Sequence, residues 1–257
     1  MDYQNLVLDE QGGVLTVTVN RPHARNALSQ RTLTELRHLL STLSGPRAVL
    51  LTGSEGPAFI AGADIREMAA MTPEEGEAFG ALGQEVTCLL ERLPVPVVAC
   101  VDGYALGGGC EMALACDFVY ATRKAVFGQP EVLLGLIPGF GGCVRLFRRV
   151  GVARAREMIY SGRRVDAAEA HRTGLVNQVF DTREEMLAAA RLVLADIAAN
   201  SPAAVAACKS VINAADGLPV GLGLHAELEA FRHAFTTDDM REGTAAFLGK
   251  RSPVFRT

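Results

Sequence analysis

The stretch Val14-Leu15-Thr16-Val17-Thr18-Val19 alternates with a period of two, which predicts a half-buried strand that Arg21-Pro22 stops. Beyond it, Leu33, Leu36, Leu39, Leu40 and Leu43 recur at helical spacing behind a Ser29 cap. Ala48-Val49-Leu50-Leu51 reads as a short buried strand, and Phe59-Ile60 ends another before Gly62. Thr72-Pro73-Glu74-Glu75 supplies a capping box with proline at the first helical position, opening a helix to about Leu93. Val95 to Val101 is a strand, with Pro94 and Pro96 at its start or marking it as an edge.

Past residue 150 the pattern changes. Asp166-Ala-Ala-Glu169 opens a short helix that Gly174 ends, and Leu175 to Phe180 is the last clear strand. From Arg183 onward the periodicity is helical, roughly 183–199, 202–214, 221–235 and 238–249. The expectation is an α/β core over 1–195 and a helical segment over 196–257 that packs on the core or on another subunit.

Composition narrows the class. Hydrophobic residues make up 49% and charged residues 21% of 257, which excludes disordered and collagen-like chains. The balance of 25 basic against 29 acidic residues gives no general attraction for nucleic acid or an anionic membrane. The uncharged run Val132 to Val144 is too short to span a bilayer and contains Pro138. The start, Met-Asp-Tyr-Gln-Asn, lacks the pattern of a signal peptide, and the six cysteines form no C-x-x-C pair. Reduced, mostly buried thiols in a cytoplasmic protein are expected. The five histidines show no H-x-x-x-H or H-E-x-x-H spacing, so no metal site is expected. Dinucleotide, P-loop and serine-hydrolase signatures are missing as well.

Glycine is the unusual component: nine of 26 fall between Gly103 and Gly142. In Val97-Val-Ala-Cys-Val-Asp-Gly-Tyr-Ala-Leu-Gly-Gly-Gly-Cys-Glu-Met-Ala-Leu-Ala-Cys116 a strand runs into a glycine turn and then an apolar helix. The first N–H groups of that helix have no internal partner, so glycines there admit a ligand oxygen. Alternatively they merely permit close packing, and these residues alone support both readings equally. Glu111 lies in the first turn, where a carboxylate complements the helix dipole. Cys110 reads as a small apolar residue, without a histidine partner that would make it a nucleophile.

Glu131 abuts the apolar run, where an ionised carboxylate is costly unless paired or poised as an acid. A plain surface-loop glutamate beside Pro130 is the other reading. The cluster Arg145, Arg148, Arg149, Arg154 and Arg156 reads by default as a solvated helix face, with phosphate or subunit contact as the alternative.

Taken in order, these pieces resemble the crotonase (enoyl-CoA hydratase/isomerase) family. The matching stretches are Arg21-Pro22 with Arg25-Asn-Ala-Leu28, Ala61-Gly-Ala-Asp-Ile65, Asp102 to Glu111, Phe127-Gly-Gln-Pro-Glu131, Leu134-Gly-Leu-Ile-Pro-Gly139, Ala168-x-x-Ala-x-x-x-Gly-Leu-Val176 and the end from Glu242 to Arg251. They span essentially the whole chain. The resemblance implies an α/β spiral of ββα units, a helical C-terminal oligomerisation segment, and a homotrimer or homohexamer. It implies an acyl-CoA thioester substrate, with coenzyme A as part of that substrate and no separate cofactor, in fatty acid or branched acyl-CoA breakdown. The backbone N–H groups of Ala63 and Gly108 match the pair that holds the thioester oxygen, and Glu111 and Glu131 match the acid/base pair of the hydratases. Substrate contacts would come from Arg25, Ala61, Gly62, Asp64, Ile65, Leu106, Pro130 and Phe140, with Phe247 and Lys250 from a neighbouring subunit.

The chemistry fits that placement. Adding water across the 2,3 double bond of a trans-2-enoyl-CoA pushes charge onto the carbonyl oxygen, while one carboxyl activates water and the other protonates Cα. The dipole beside Glu111 would favour its charged form and the apolar setting of Glu131 a protonated one, giving the separation the two roles need. Where hydratases commonly show a small residue and then Gly-Gly-Thr-Gln-Arg-Leu, this chain has Phe140-Gly-Gly-Cys143-Val144-Arg-Leu146. Phe140 is therefore expected to narrow the acyl pocket. Alternatives are a Δ3,Δ2-enoyl-CoA isomerase, a hydratase or dehydratase of a functionalised acyl-CoA, and a non-catalytic RNA-binding member using the arginine cluster.

Overall fold

The computed structural model describes residues 2–255. Strands β1 (Leu6–Gln11) and β2 (Val14–Val19) form an antiparallel hairpin. Only Leu6 of β1 is buried, so no alternation betrays this strand in the sequence. Helix α1 (Gln30–Thr42) begins where the Ser29 side chain accepts from the Thr32 N–H, and it buries Leu33, Leu36, Leu39 and Leu40. Next come β3 (Ala48–Gly53), β4 (Ala58–Ile60), the single turn α2 (Ile65–Met68) and α3 (Pro73–Arg92). Both halves of the Thr72/Glu75 capping box are formed at the start of α3.

The chain continues through β5 (Val97–Val101), β6 (Tyr104–Leu106), α4 (Gly108–Leu114), β7 (Phe118–Thr122) and β8 (Val126–Gly128). Pro94 and Pro96 precede β5, which lies between β3 and β7; a central strand has no room for residues lacking an N–H. A 3₁₀ turn, Glu131–Leu134, leads to α5 (Gly142–Val150), α6 (Val152–Ser161), β9 (Arg164–Asp166), α7 (Ala167–Arg172) and β10 (Gln178–Phe180). Leu175 to Asn177, read as strand, lie outside β10.

From β3 to β8 successive strands are dealt alternately to two sheets. The larger has the order β1-β2-β3-β5-β7-β10 and the smaller β4-β6-β8-β9. Beyond the opening hairpin the large sheet is parallel, as are β4, β6 and β8. Each turn therefore places one strand in each sheet before a helix returns, which is an α/β spiral of ββα units. The main core fills the space between the sheets and their helices, from Leu33 and Leu36 to Phe59, Phe127 and Leu146.

Four helices close the chain: α8 (Arg183–Ala198), α9 (Pro202–Ala215), α10 (Val220–Ala234) and α11 (Asp238–Leu248). Met186, Ala190 and Leu194 of α8 pack on the outer face of the large sheet, against Val14, Ala48, Leu50, Val98 and Cys100. Residue 195, where the core was expected to end, lies inside this helix. Lys209 of α9 is buried, and its Nζ donates to the carbonyls of Leu90 and Val95 at 3.1 and 3.0 Å and to Asp117 Oδ2 at 2.9 Å. A buried ammonium with three acceptors ties the C-terminal segment to its own core. Among the described residues no single helix is long and apolar enough to cross a membrane.

Two expectations are corrected. The arginine cluster is not one solvated face. Arg145 is buried against Glu91, Thr87 and the Phe140 carbonyl, and Arg149 donates to the carbonyls of Leu114, Cys116 and Asp117, because carbonyls at helix and loop ends lack N–H donors of their own. Arg148, Arg154 and Arg156 are exposed, and Arg148 pairs with Asp216. Of the cysteines, Cys100, Cys110 and Cys116 are buried, Cys88 is half-buried, and Cys143 and Cys208 are exposed.

Candidate active site

The site lies beyond the carboxyl ends of β4, β6 and β8, the parallel strands of the small sheet, where open α/β sheets characteristically receive ligands. Ile60 and Ala105 are paired across β4 and β6. Ala63 follows Ile60 by three residues and Gly108 follows Ala105 by three, so the two backbones arrive side by side. Glu131 follows the end of β8 in the same way.

Local hydrogen bonding turns the Ala63 N–H toward the cavity. Leu28 and Ala63 form a parallel bridge in which the Leu28 N–H donates to the Gly62 carbonyl at 2.8 Å and the Asp64 N–H donates to the Leu28 carbonyl at 2.9 Å. In extended backbone the intervening N–H must point the other way. Asp64 itself pairs with Arg21 at 3.1 Å and caps α2.

Gly108 opens α4, and the first hydrogen bond within that helix is from the Glu111 N–H to the Gly107 carbonyl at 2.9 Å. Neither the Ala63 nor the Gly108 N–H has a protein acceptor among the described residues. The glycines of the turn differ in what their surroundings require. Gly107 takes φ +49°, and a Cβ there would meet Glu131 Oε1 at 2.9 Å. Gly109 is a packing glycine, since a Cβ would stand 2.0 Å from the Ile60 carbonyl oxygen. Gly108 lines the cavity, with its N–H left without a protein acceptor among the described residues.

The cavity holds about 340 Å³ and is lined by Ala61, Gly62, Ala63, Ile65, Gly107, Gly108, Glu111, Pro130, Glu131 and Phe140, among others. Of the contacts expected from the same chain, Arg25, Asp64 and Leu106 do not line it; Phe247 and Lys250 were expected from a neighbouring subunit. Arg25 acts through its backbone, its carbonyl accepting from the Ala61 N–H at 3.2 Å while its side chain is exposed. The Leu106 carbonyl sits 3.3 Å from where a Cβ on Gly62 would be. Phe247 is 83% exposed on α11. Sequence reasoning missed Phe79, Met68, Leu134 and Ile137, which also line the cavity. The helical period of α3 marks Phe79 as core, and nothing in it distinguishes a cavity wall from packing.

Phe140 is 3% exposed and stacks at a tilt on Phe79 with centroids 5.5 Å apart. Its ring occupies the space beside Gly83, where a Cβ would lie 2.1 Å from it. The two rings close one wall of the cavity.

Glu111 is 1% exposed, and its Oε1 accepts from the N–H groups of Phe140 at 2.8 Å and Gly142 at 2.7 Å. Arg145 braces that loop by donating to the Phe140 carbonyl at 2.9 Å. Burial pushes the Glu111 carboxyl above the usual carboxylate range, although these backbone donors and Arg145 pull it down. This rise runs against the helix dipole: desolvation outweighs a dipole effect of about 0.3–2 kcal/mol. Glu131 is half-buried at the head of its 3₁₀ turn rather than on an open loop. Burial, with the nearby Glu111 charge adding to it, pushes its carboxyl up to about 7. A charge on Glu111 makes the second ionisation, at Glu131, harder, so the pair loses its protons in steps. The backbone donors on Glu111 favour the charge there and leave the proton on Glu131. Burial raises the Cys110 thiol far above its usual value, which removes it as a nucleophile.

The family model described as enoyl-CoA hydratase/isomerase matches residues 9–257. The chain belongs to that family. It is 43% identical to the short-chain-enoyl-CoA hydratase of Clostridium acetobutylicum, across 98% of this chain and 97% of the relative. It is 41% identical to the crotonyl-CoA hydratase of Syntrophomonas wolfei, across 99% of both. The crystal structure of an enoyl-CoA hydratase from Bacillus anthracis superimposes with a TM-score of 0.94 at 38% identity, covering 98% of this chain and 99% of the other. The crotonase fold expected from the motifs is therefore the fold of the family to which the chain belongs.

Proposed function

We propose that this enzyme is an enoyl-CoA hydratase acting on short trans-2-enoyl-CoA thioesters. The observation that carries the reading is one cavity faced by two unpaired backbone donors and two carboxyls of raised pKa. The thioester oxygen sits between the Ala63 and Gly108 N–H groups, where charge developing on it is worth about 3–4 kcal/mol per donor. Ionised Glu111 takes a proton from water as its oxygen bonds to Cβ, and Glu131 gives its proton to Cα as the enolate collapses. Water is thereby added and each carboxyl exchanges its protonation state. Coenzyme A enters as part of the substrate.

Purified protein should consume crotonyl-CoA with loss of the conjugated thioester absorbance, and the product should gain the mass of one water. A product of unchanged mass would instead mark an isomerase. Two intact carboxyls favour hydration, and the internal pairing of Arg145 and Arg149 leaves little of the cluster for RNA.

The Phe79–Phe140 wall supports a short acyl chain. Phe140→Ala should shift the ratio of kcat/KM for long over short enoyl-CoA upward by about tenfold, since each methylene accommodated is worth roughly 1 kcal/mol or more. Equal ratios for wild type and variant would remove Phe140 as the determinant. The exposed apolar side chains of α10, its C-cap Phe235 and α11, namely Leu228, Phe231, Phe235, Phe247 and Leu248, support burial against further copies of the chain as a trimer or hexamer. Light scattering should read the mass in multiples of 27.3 kDa, and a monomeric mass refutes this.

A further inference from the structure

Gln129 stands between β8 and Glu131 with 0% exposure, an expensive place for an amide unless its groups are paired. One end of the amide faces only carboxyl oxygens and the other only donors, which fixes the nitrogen on the Glu131 side. So oriented, it donates to Glu131 Oε1 at 2.9 Å and reaches Oε2 at 3.3 Å. The other end of the amide fills the space beside Gly142, whose Cβ, if present, would stand 2.5 Å from it. Gly142 is one of the two residues whose N–H holds Glu111. A single buried side chain thus touches one carboxyl directly and the backbone shelf of the other.

We propose that Gln129 is a positioning residue that anchors Oε1 of Glu131, so that Oε2 carries the proton into the cavity. This rests on the hydratase reading above. A neutral carboxyl has one oxygen that only accepts and one that bears hydrogen. A donor locked onto Oε1 keeps that oxygen the acceptor and assigns the proton to its neighbour. Gly107 completes the arrangement by leaving room for Oε1, which lies 2.9 Å from where its Cβ would be. The shorter contact is to Oε1, so the amide holds that oxygen more tightly than Oε2.

The anchoring bond is stronger to an ionised oxygen than to a neutral one, so it lowers the affinity of Glu131 for its proton. Removing it should raise that affinity. In hydration the protonated form is active, and activity falls as pH rises through the Glu131 value; loss of the donor moves this alkaline limb upward. The titratable groups in electrostatic reach of Glu131 are Glu111 and Cys110 on α4 and Cys143 on α5. Of these, the thiols stay neutral across the range assayed.

The test measures kcat, KM and pH profiles for crotonyl-CoA hydration by Gln129→Met and by Gln129→Glu, which keeps the shape and replaces the donor. Gln129→Met should lower kcat by roughly tenfold or more with KM changed less than about twofold, a fraction of what a positioned acid supplies. Its alkaline limb should rise by about half a unit or more, and that of Gln129→Glu further, because a second carboxyl disfavours charge on Glu131. An alkaline limb at the wild-type position in both variants, or a fall in kcat matched by an equal rise in KM, overturns the proposal. If Gln129→Met does not fold, the near-isosteric Gln129→Glu decides it alone. Glu131→Gln run alongside separates the levels: full activity there sinks the hydratase reading and this role with it. An inactive Glu131→Gln beside Gln129 variants of wild-type profile removes Gln129 only.

Discussion

Glu131→Gln should lower kcat for crotonyl-CoA hydration by about 10²–10³-fold and, at neutral and alkaline pH, make the protein more stable. The first effect follows from removing the proton that Cα must receive, while the amide keeps the shape of the carboxyl. A loss smaller than about tenfold removes Glu131 from the chemistry. The second follows from linkage. A carboxyl held at about 7 in the folded protein binds its proton more tightly than in the unfolded chain. Its stabilising contribution is complete below the unfolded value near 4.3 and is lost as pH rises through about 7. Gln carries no such penalty. With screening by solvent allowed for, the gain at pH 8 is roughly 1–2 kcal/mol, read as a shift in urea midpoint that vanishes near pH 4. An equal shift at both pH values would mean that packing, not ionisation, is responsible.

Glu111 offers a contrast between chemistry and scaffold. Glu111→Gln removes the group that takes the proton from water but keeps an oxygen for the N–H groups of Phe140 and Gly142; kcat should fall by about 10²-fold or more with stability little changed. Glu111→Ala should show the same loss of kcat and in addition lose about 2–4 kcal/mol of stability, because two buried N–H groups are stranded. Equal stability of the two variants in urea would show that water satisfies the loop and that Glu111 does not hold it. The same comparison tests Arg145 indirectly, since it braces the Phe140 carbonyl from the far side.

The helices were legible because their signals are local: the Ser29 cap, the Thr72 box and the leucine spacing of α1 are all decided within a few residues. The small sheet was hard to read for the opposite reason. Strands β6 and β8 have three residues each and gain their meaning from neighbours far along the chain. The two glutamates were visible as residues out of place, one in a glycine turn and one beside an apolar run. The rise that burial imposes on the Glu111 carboxyl was not legible, because a helix dipole can be read from sequence and burial cannot. Gln129 shows the same limit, since a polar residue beside a proline gives no sign that it is sealed from water and facing a carboxyl.

Ala63 and Gly108 each follow a strand of the small sheet within three residues, on backbone pinned by the Leu28 bridge and the start of α4, so the placing of the two donors is set by main chain. The grip on the thioester is therefore a fixed gauge, while the acyl wall made by Phe79 and Phe140 is upholstery on a helix and a loop. Side-chain changes can refit the second without disturbing the first. A one-residue insertion between Ile60 and Ala63 has the reverse effect: it slides one jaw by about 3.3 Å and turns its N–H away, leaving a well-shaped cavity that can no longer hold the oxygen.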